Sequence, residues 1–199
     1  MADDKRGRDK QAQDADRRQR EREVDMELER GDEREPPADE ADLSDLETEL
    51  DVLEFPATGA EVVAAVGDRE IESVARDYSL ADVVPETDAD VYDSPTAVRA
   101  QVRRPTVAAA MKRVVEASRA LQDAEFGWTQ RNAYEMTFQE LEAIDADDDD
   151  DGIRVVGDWV VDRIHEKDAL PSSRAVRRRA AEFCRANGYQ VRSDEWLGV

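Results

Sequence analysis

Cysteine, histidine and lysine are scarce in this sequence of 199 residues. Cys184 and His165 are the only residues of their kinds, so one chain can form neither a disulfide nor a cysteine- or histidine-based metal cluster. No apolar run approaches the ~20 residues that cross a bilayer, and the first residues, MADDKRGRDKQAQD, lack the apolar stretch of a secretory signal. We therefore expect a soluble cytoplasmic protein that has no contact with a membrane.

Acidic residues dominate the charge of the chain. There are 50 Asp and Glu against 28 Lys and Arg, a formal net charge of −22, and only four of the basic residues are lysines. Self-repulsion at this charge destabilises a compact protein, but at molar salt the Debye length falls to ~3 Å and the repulsion is screened. The composition therefore predicts a halophilic protein. A disordered acidic chain is the alternative, which 40% hydrophobic residues and several capped amphipathic segments disfavour.

Charge and helix signals divide the chain into three parts. Residues 1–38 are highly charged and almost without apolar residues, which predicts a flexible tail or a solvated helix. Residues 39–104 form a helical acidic module, with 18 acidic and two basic residues between positions 39 and 98. Residues 105–199 form a second helical module that contains an acidic loop at 145–152. The fold class is therefore mainly α, with at most one or two short strands near the C-terminus.

Helix starts are marked by residues whose side-chain oxygen can accept a hydrogen bond from a free N–H of the first turn. The predicted caps are Thr58 with Glu61, Ser79, Ser94 before Pro95, Thr137 with Glu140, and Ser172 or Ser173. Residues 106–126 predict the longest buried helix. The large residues that follow it and are predicted to lie in the core are Trp128, Tyr134, Met136 and Phe138.

Three stretches carry a family resemblance: MADDKRGRDKQAQDADRRQREREV, LEFPATGAEVVAAVGDREIESV and LADVVPETDADVYDSPTAVRAQV. Together they resemble an uncharacterised haloarchaeal family of unknown function, over about residues 1–104. The order FPA, VV, LADVVP and YDSPTAV also resembles a short bacterial family whose function is likewise unassigned. The resemblance implies a small helical module in a haloarchaeal protein and implies no catalytic or ligand-binding residue.

The acidic run at 145–151 is a candidate site for a divalent cation. The residues at positions 1, 3, 5, 6 and 12 of a calcium-binding loop of the EF-hand type are Asp147, Asp149, Asp151, Gly152 and Asp158. Alternate carboxylates around a glycine turn supply the oxygen ligands that Ca²⁺ prefers. Arg154 departs from the EF-hand pattern, and so does Asp158, because it is shorter than the usual Glu. A solvated acidic loop is therefore the alternative.

Two segments are rich in arginine, whose guanidinium group suits phosphate and carboxylate partners. Residues 99–122 and 171–192 each contain six basic residues and one acidic residue. The candidate residues for binding a partner or nucleic acid are Arg103, Arg104, Arg174, Arg177, Arg178 and Arg185. A capped helix after a short turn resembles a helix-turn-helix, whereas the net negative charge and the loss of DNA affinity at high salt disfavour nucleic acid. Alternatively, these arginines pair with the acidic module at 39–98 or with an acidic partner.

Motifs that would carry catalysis are absent from the sequence. It contains no nucleotide-binding glycine pattern and no nucleophile elbow, and His165 is expected at an exposed helical position. We expect no cofactor and no enzymatic activity. The sequence favours an interaction or regulatory protein that binds another protein. The first alternative is a nucleic-acid-associated protein, and the second is a protein that binds a divalent cation at the acidic loop.

Overall fold

The structure is a computed structural model, and it describes residues 37–73, 76–121, 126–144 and 151–189. These residues are mainly helical, which confirms the predicted fold class. Almost all of the predicted tail at 1–38 lies outside the described residues. Residues 190–199, where the sequence places most of its C-terminal extended segment, lie outside them as well.

The described residues form eight helices and four strands of two residues each. The helices are α1 (Glu40–Glu49), α2 (Gly59–Val66), α3 (Leu80–Val83), α4 (Pro95–Val102), α5 (Pro105–Ser118), α6 (Trp128–Ile144), α7 (Asp151–Lys167) and α8 (Ser173–Ala186). The strands are β1 (Ala57–Thr58), β2 (Glu70–Ile71), β3 (Tyr78–Ser79) and β4 (Val91–Tyr92). A 3₁₀ turn, Leu50–Val52, follows α1. Among the described helices, none combines the length and the apolar character needed to span a bilayer.

The predicted helix starts at Thr58, Ser79, Ser94 and Ser172 are confirmed. The Thr58 hydroxyl accepts a hydrogen bond from the Glu61 N–H at 3.2 Å, and the Glu61 carboxylate accepts one from the Thr58 N–H at 2.8 Å. This reciprocal capping box satisfies two backbone donors. Ser94 and Ser172 each accept a hydrogen bond from the N–H three residues later, which starts α4 and α8.

The strands pair in two small antiparallel ladders between residues 57 and 92. In the first, β1 pairs with β4 and Ala57 lies opposite Tyr92; in the second, β2 pairs with β3 and Ile71 lies opposite Tyr78. The sequence predicts at most one or two short strands near the C-terminus, whereas these four lie between residues 57 and 92. A two-residue strand is too short to show the alternation of polar and apolar residues, so its pairing is set by the surrounding fold.

The helix predicted at 106–126 is shorter than expected, and the prediction that it is the longest is wrong. It forms α5, which has 14 residues, whereas α6 and α7 have 17 each. After Ser118 the N–H groups of Arg119, Ala120 and Leu121 bond to carbonyls three residues back instead of four. This tighter 3₁₀ pattern is common where an α-helix ends.

The predicted helix start at Thr137 is also wrong. Thr137 is buried inside α6, and its hydroxyl donates to the carbonyl four residues earlier at 2.8 Å. Within α6, Met136 lies about 160° around the helix axis from both Tyr134 and Phe138, and Trp128 is the first residue of the helix. Trp128 is 78% exposed and Met136 is 57% exposed, whereas Tyr134 and Phe138 are fully buried. The prediction that these four residues lie in the core is therefore confirmed for Tyr134 and Phe138 and wrong for Trp128 and Met136.

Two hydrophobic clusters stabilise the described chain, and α5 contributes to both. The first cluster lies among α1–α4, and the residues that represent it are Leu46, Leu80, Val98 and, from α5, Ala108. The second lies among α5–α8, and its representatives are Met111, Val114, Phe138, Val160 and Val176. The module boundary predicted at residue 105 falls at the start of this shared helix. The described residues from Pro37 onward belong to one compact unit.

Candidate interaction surface

Arginines of the acidic module and of α4 pair with carboxylates on α1. Arg99 on α4 lies 2.9 Å from Glu47 and also contacts Glu40. Arg69, which precedes β2, lies 3.4 Å from Asp42. These pairs join segments that are distant in sequence, so the positive charges serve the internal packing of the module.

The next basic residues along the first arginine-rich segment have internal partners too. Lys112 donates to a carbonyl of α3, and Arg119 donates to the carbonyl of Glu86 at 3.2 Å. Arg113 lies 2.6 Å from Asp158 on α7. Arg99, Lys112 and Arg119 therefore contact the acidic module at 39–98, whereas Arg113 contacts α7 outside that module.

Arg104, one of the predicted binding residues, pairs with Glu142. The side chains of the two residues are only 13% and 12% exposed. Arg104 stands directly before α5 and Glu142 lies near the end of α6, so the pair links the two helices. Removing either partner would leave a largely desolvated charge, which is strongly unfavourable. Arg103 is partly buried and also has a contact within the chain.

A second ion pair, between Arg131 on α6 and Asp90, is not predicted by the sequence. Arg131 Nε also donates to the carbonyl of Phe126 at 2.8 Å. Burial raises the pKa of the neighbouring Tyr92, and the Asp90 carboxylate raises it further. The pair ties α6 to the segment just before β4. No local sequence pattern predicts this ion pair, because Arg131 and Asp90 are brought together only by the packing of α6.

Helix α8 presents three arginines that differ from those above. Arg174, Arg178 and Arg185 are exposed, and no carboxylate within the described part of the chain pairs with them. With 3.6 residues per turn, steps of four and seven residues keep the three side chains within about 40° of one another around the helix. They extend over about 16 Å along the axis. We call these three residues the arginine stripe.

The rest of α8 explains why the stripe faces solvent. The buried side of the helix consists of Val176, Ala180, Ala181 and Cys184. Arg177 is partly buried beside that side, so it does not join the stripe although the sequence predicts it as a binding residue together with the other three. Arg179 lies 3.6 Å from Glu182. Of the four arginines predicted on this helix, the structure therefore brings three together on one face.

The turn before α8 is fixed by α6. Tyr134 donates from its hydroxyl to the carbonyl of Pro171, and Gln130 donates to the same carbonyl at 2.7 Å. Burial raises the pKa of Tyr134 to about 12, so its hydroxyl remains protonated and able to donate near neutral pH. The start of the arginine stripe is thus attached to the second hydrophobic cluster.

The predicted cation loop is described only from Asp151 onward. Asp151 and Asp158 both lie in α7, and seven residues of helix separate them by about 10 Å along the axis. Asp151 pairs with Arg154, and this hydrogen bond raises the pKa of the arginine. Within the residues that the structure describes, no group of three or more His, Cys, Asp or Glu could hold a metal ion. Cation binding through Asp147 and Asp149, which lie outside those residues, stays a prediction.

The first hydrophobic cluster also coincides with a recognisable unit of sequence. Residues 40–114 match a family of unknown function, DUF5789. The DUF5789 match covers α1 to α4, all four described strands and α5 as far as Val114. The resemblance to an uncharacterised family, predicted over about residues 1–104, is confirmed from residue 40 onward, and the match extends beyond it to Val114. The arginine stripe lies outside the match. No curated protein and no solved structure matches the chain.

Proposed function

We propose that this chain is a non-enzymatic interaction protein that binds an acidic protein surface through the arginine stripe. The supporting observation is the contrast between two sets of arginines. Those of α4 and α5 have partners within the chain, whereas the stripe has no carboxylate partner among the described residues, in a chain with 50 acidic residues. Guanidinium groups that share one helix face and have no carboxylate partner in this part of the chain are available to the carboxylates of another molecule.

The chemistry of arginine and the rigidity of α8 support the proposal. The planar guanidinium group donates two parallel hydrogen bonds to one carboxylate, a geometry that lysine cannot reproduce. The buried side of α8, from Val176 to Cys184, holds the helix against α6 and α7. A stripe on a fixed helix loses little conformational entropy when it binds.

The proposed medium is a salt-loaded cytoplasm, an interpretation supported by the net charge of −22. At molar salt, charges act on one another over only ~3 Å. Binding there depends on direct contact between groups in matching positions, because long-range attraction is screened. A folded partner with carboxylates at the spacing of the stripe meets that condition.

Nucleic acid is the second candidate. The short turn between α7 and α8 and the cap at Ser172 give an arrangement typical of a helix-turn-helix. The pairing of Arg104 with Glu142 removes one of the contacts expected for this role. Affinity for DNA also falls steeply as salt rises.

Fluorescence anisotropy with labelled polyglutamate and with a labelled DNA duplex, each at rising KCl, tests the proposal. The stripe variant carries R174E, R178E and R185E. The matched control carries R76E, R119E and R163E, which cause the same change in charge at arginines that contact the Tyr78 ring, the Glu86 carbonyl and Glu166.

We expect the stripe variant to bind polyglutamate at least about tenfold more weakly than the parent, a loss of ~1.4 kcal/mol. The control should change far less. Equal losses in the two variants would show that net charge alone governs binding, and would contradict the proposal. Binding to DNA that survives molar KCl and is lost in the stripe variant would favour the second candidate.

A further inference from the structure

Helix α7 carries an acidic ridge on its exposed side. Asp151, Asp158 and Asp162 reach solvent, and steps of seven and four residues keep them within about 40° of one another around the helix. In the pairs that Asp151 and Asp158 form, the arginine contacts Oδ1. Asp162 has no basic partner among the described residues. We call these three residues the acidic ridge.

The acidic ridge and the arginine stripe have the same spacing in opposite order. The stripe advances by four and then seven residues, from Arg174 through Arg178 to Arg185. The ridge advances by seven and then four, so that reading it backwards from Asp162 gives the spacing of the stripe. Two helices that lie antiparallel would therefore place each arginine opposite one aspartate over the same axial length of about 16 Å.

We infer that the arginine stripe of one molecule docks on the acidic ridge of a second copy of this chain, an inference that rests on the proposed function and names its partner. The pairs are Arg174 with Asp162, Arg178 with Asp158, and Arg185 with Asp151. Within one molecule the stripe does not reach the ridge, because neither set forms a contact with the other among the described residues. The pairs with Arg154 and Arg113 use only Oδ1 of Asp151 and Asp158, so their Oδ2 atoms and the carboxylate of Asp162 are left for a neighbouring molecule.

The arrangement suits a two-fold dimer. A two-fold axis that places α8 of one copy on α7 of the other also places the second α8 on the first α7, so both stripes and both ridges are used. Helices α7 and α8 are packed against each other within each copy, which keeps both charged faces on one rigid unit. Each copy carries a net charge of −22, so dimerisation requires salt that screens repulsion at long range but leaves contact pairs in place.

Sedimentation velocity of the full chain in molar KCl, over a series of protein concentrations, tests the inference through a charge swap. The stripe variant described above has Glu facing the ridge. The ridge variant carries D151R, D158R and D162R, so that Arg faces the stripe. We expect the parent to dimerise and each variant alone to remain monomeric, because like charges then face each other. An equimolar mixture of the two variants should dimerise again, with one molecule of each kind in the dimer.

Several results would overturn the inference. It fails if the parent stays monomeric at every concentration, if the mixture of variants stays monomeric, or if the stripe variant dimerises as the parent does. The R76E, R119E, R163E control should dimerise like the parent. Because D158R removes the partner of Arg113, circular dichroism checks folding, and the single swap of R174E with D162R provides a second test that leaves that pair intact.

The polyglutamate experiment separates the failure of this inference from the failure of the proposed function. If the parent is monomeric but still binds polyglutamate through the stripe, the partner is not a second copy of the chain, and the proposal of an acidic partner stands. A stripe variant that binds polyglutamate like the parent overturns the proposed function itself.

Discussion

Gly59, the first residue of α2, lies against the backbone of another segment. A Cβ atom at this position would lie 2.2 Å from the carbonyl oxygen of Pro85 and 3.3 Å from that of Thr87. The Gly59 N–H donates to the carbonyl of Asp90 at 2.8 Å, so α2 cannot shift away without losing that bond. A side chain here would have to displace backbone, which moves less readily than the end of a flexible side chain.

We therefore expect Gly59→Ala to lower the free energy of unfolding by about 1–3 kcal/mol, as overpacking does elsewhere. Gly127→Ala is the matched control, because a Cβ at Gly127 meets no atom within 4 Å. The control should stay within about 0.5 kcal/mol of the parent. Urea unfolding followed by circular dichroism measures both variants, and equal effects would contradict this account of Gly59.

Single residues were predictable from the sequence where their role is local. Thr58, Ser94 and Ser172 act as caps within three residues of their own position, so the sequence is enough to predict them. Arg104 and Trp128 were not predictable in this way. The partner of Arg104 lies 38 residues away, and the exposure of Trp128 depends on where α6 begins.

At the level of elements, α3 shows how a short helix depends on its cap. The carboxylate of Asp82 accepts hydrogen bonds from the hydroxyl of Ser79 at 2.7 Å and from its N–H at 3.0 Å. These hydrogen bonds hold the pKa of Asp82 below its usual range, and the bond from the Ser79 hydroxyl has the larger effect. A group whose pKa is lower in the folded chain stabilises the fold above the pKa of the unfolded chain. That contribution is lost as the pH falls through the folded value.

Asp82→Asn should therefore reduce the pH dependence of stability on the acid side. Between neutral pH and the pKa of an unfolded Asp, near 4, we expect the parent to have the higher melting temperature. The difference should shrink as the pH falls further, because the parent becomes protonated and loses the same interaction. Thermal melts across an acidic pH series give the comparison. A constant difference at every pH would show that the charge of Asp82 is not the stabilising feature.

The order of the helices could be predicted from the sequence, but not all their lengths or the strands. Capping residues locate the starts of α2, α3, α4 and α8, because these signals lie within a few residues of each helix start. The end of α5 and the start of α6 carry no comparable signal. The four strands are formed by pairings such as Ala57 with Tyr92, and the arginine stripe emerges only once the buried side of α8 is known.

Charge acts on the molecule as a whole. At a net charge of −22, repulsion among carboxylates opposes compact packing unless salt screens it. We expect the melting temperature to rise between dilute buffer and molar KCl. Sorbitol at the same osmolarity serves as the control, because it lowers water activity without screening charge. A melting temperature that is equal in dilute buffer and in KCl would contradict the prediction of a halophilic protein.

Because α5 contributes to both clusters, a truncated fragment that ends within this helix exposes part of one cluster. A fragment that stops at Val114 keeps Ala108 in its own interior but leaves Val107, Met111 and Val114 without the helices that cover them. Such a fragment would expose an apolar strip along α5 and would aggregate through it. Any chain that contains this helix but lacks α6–α8 must cover the same apolar strip with another segment or with a partner molecule.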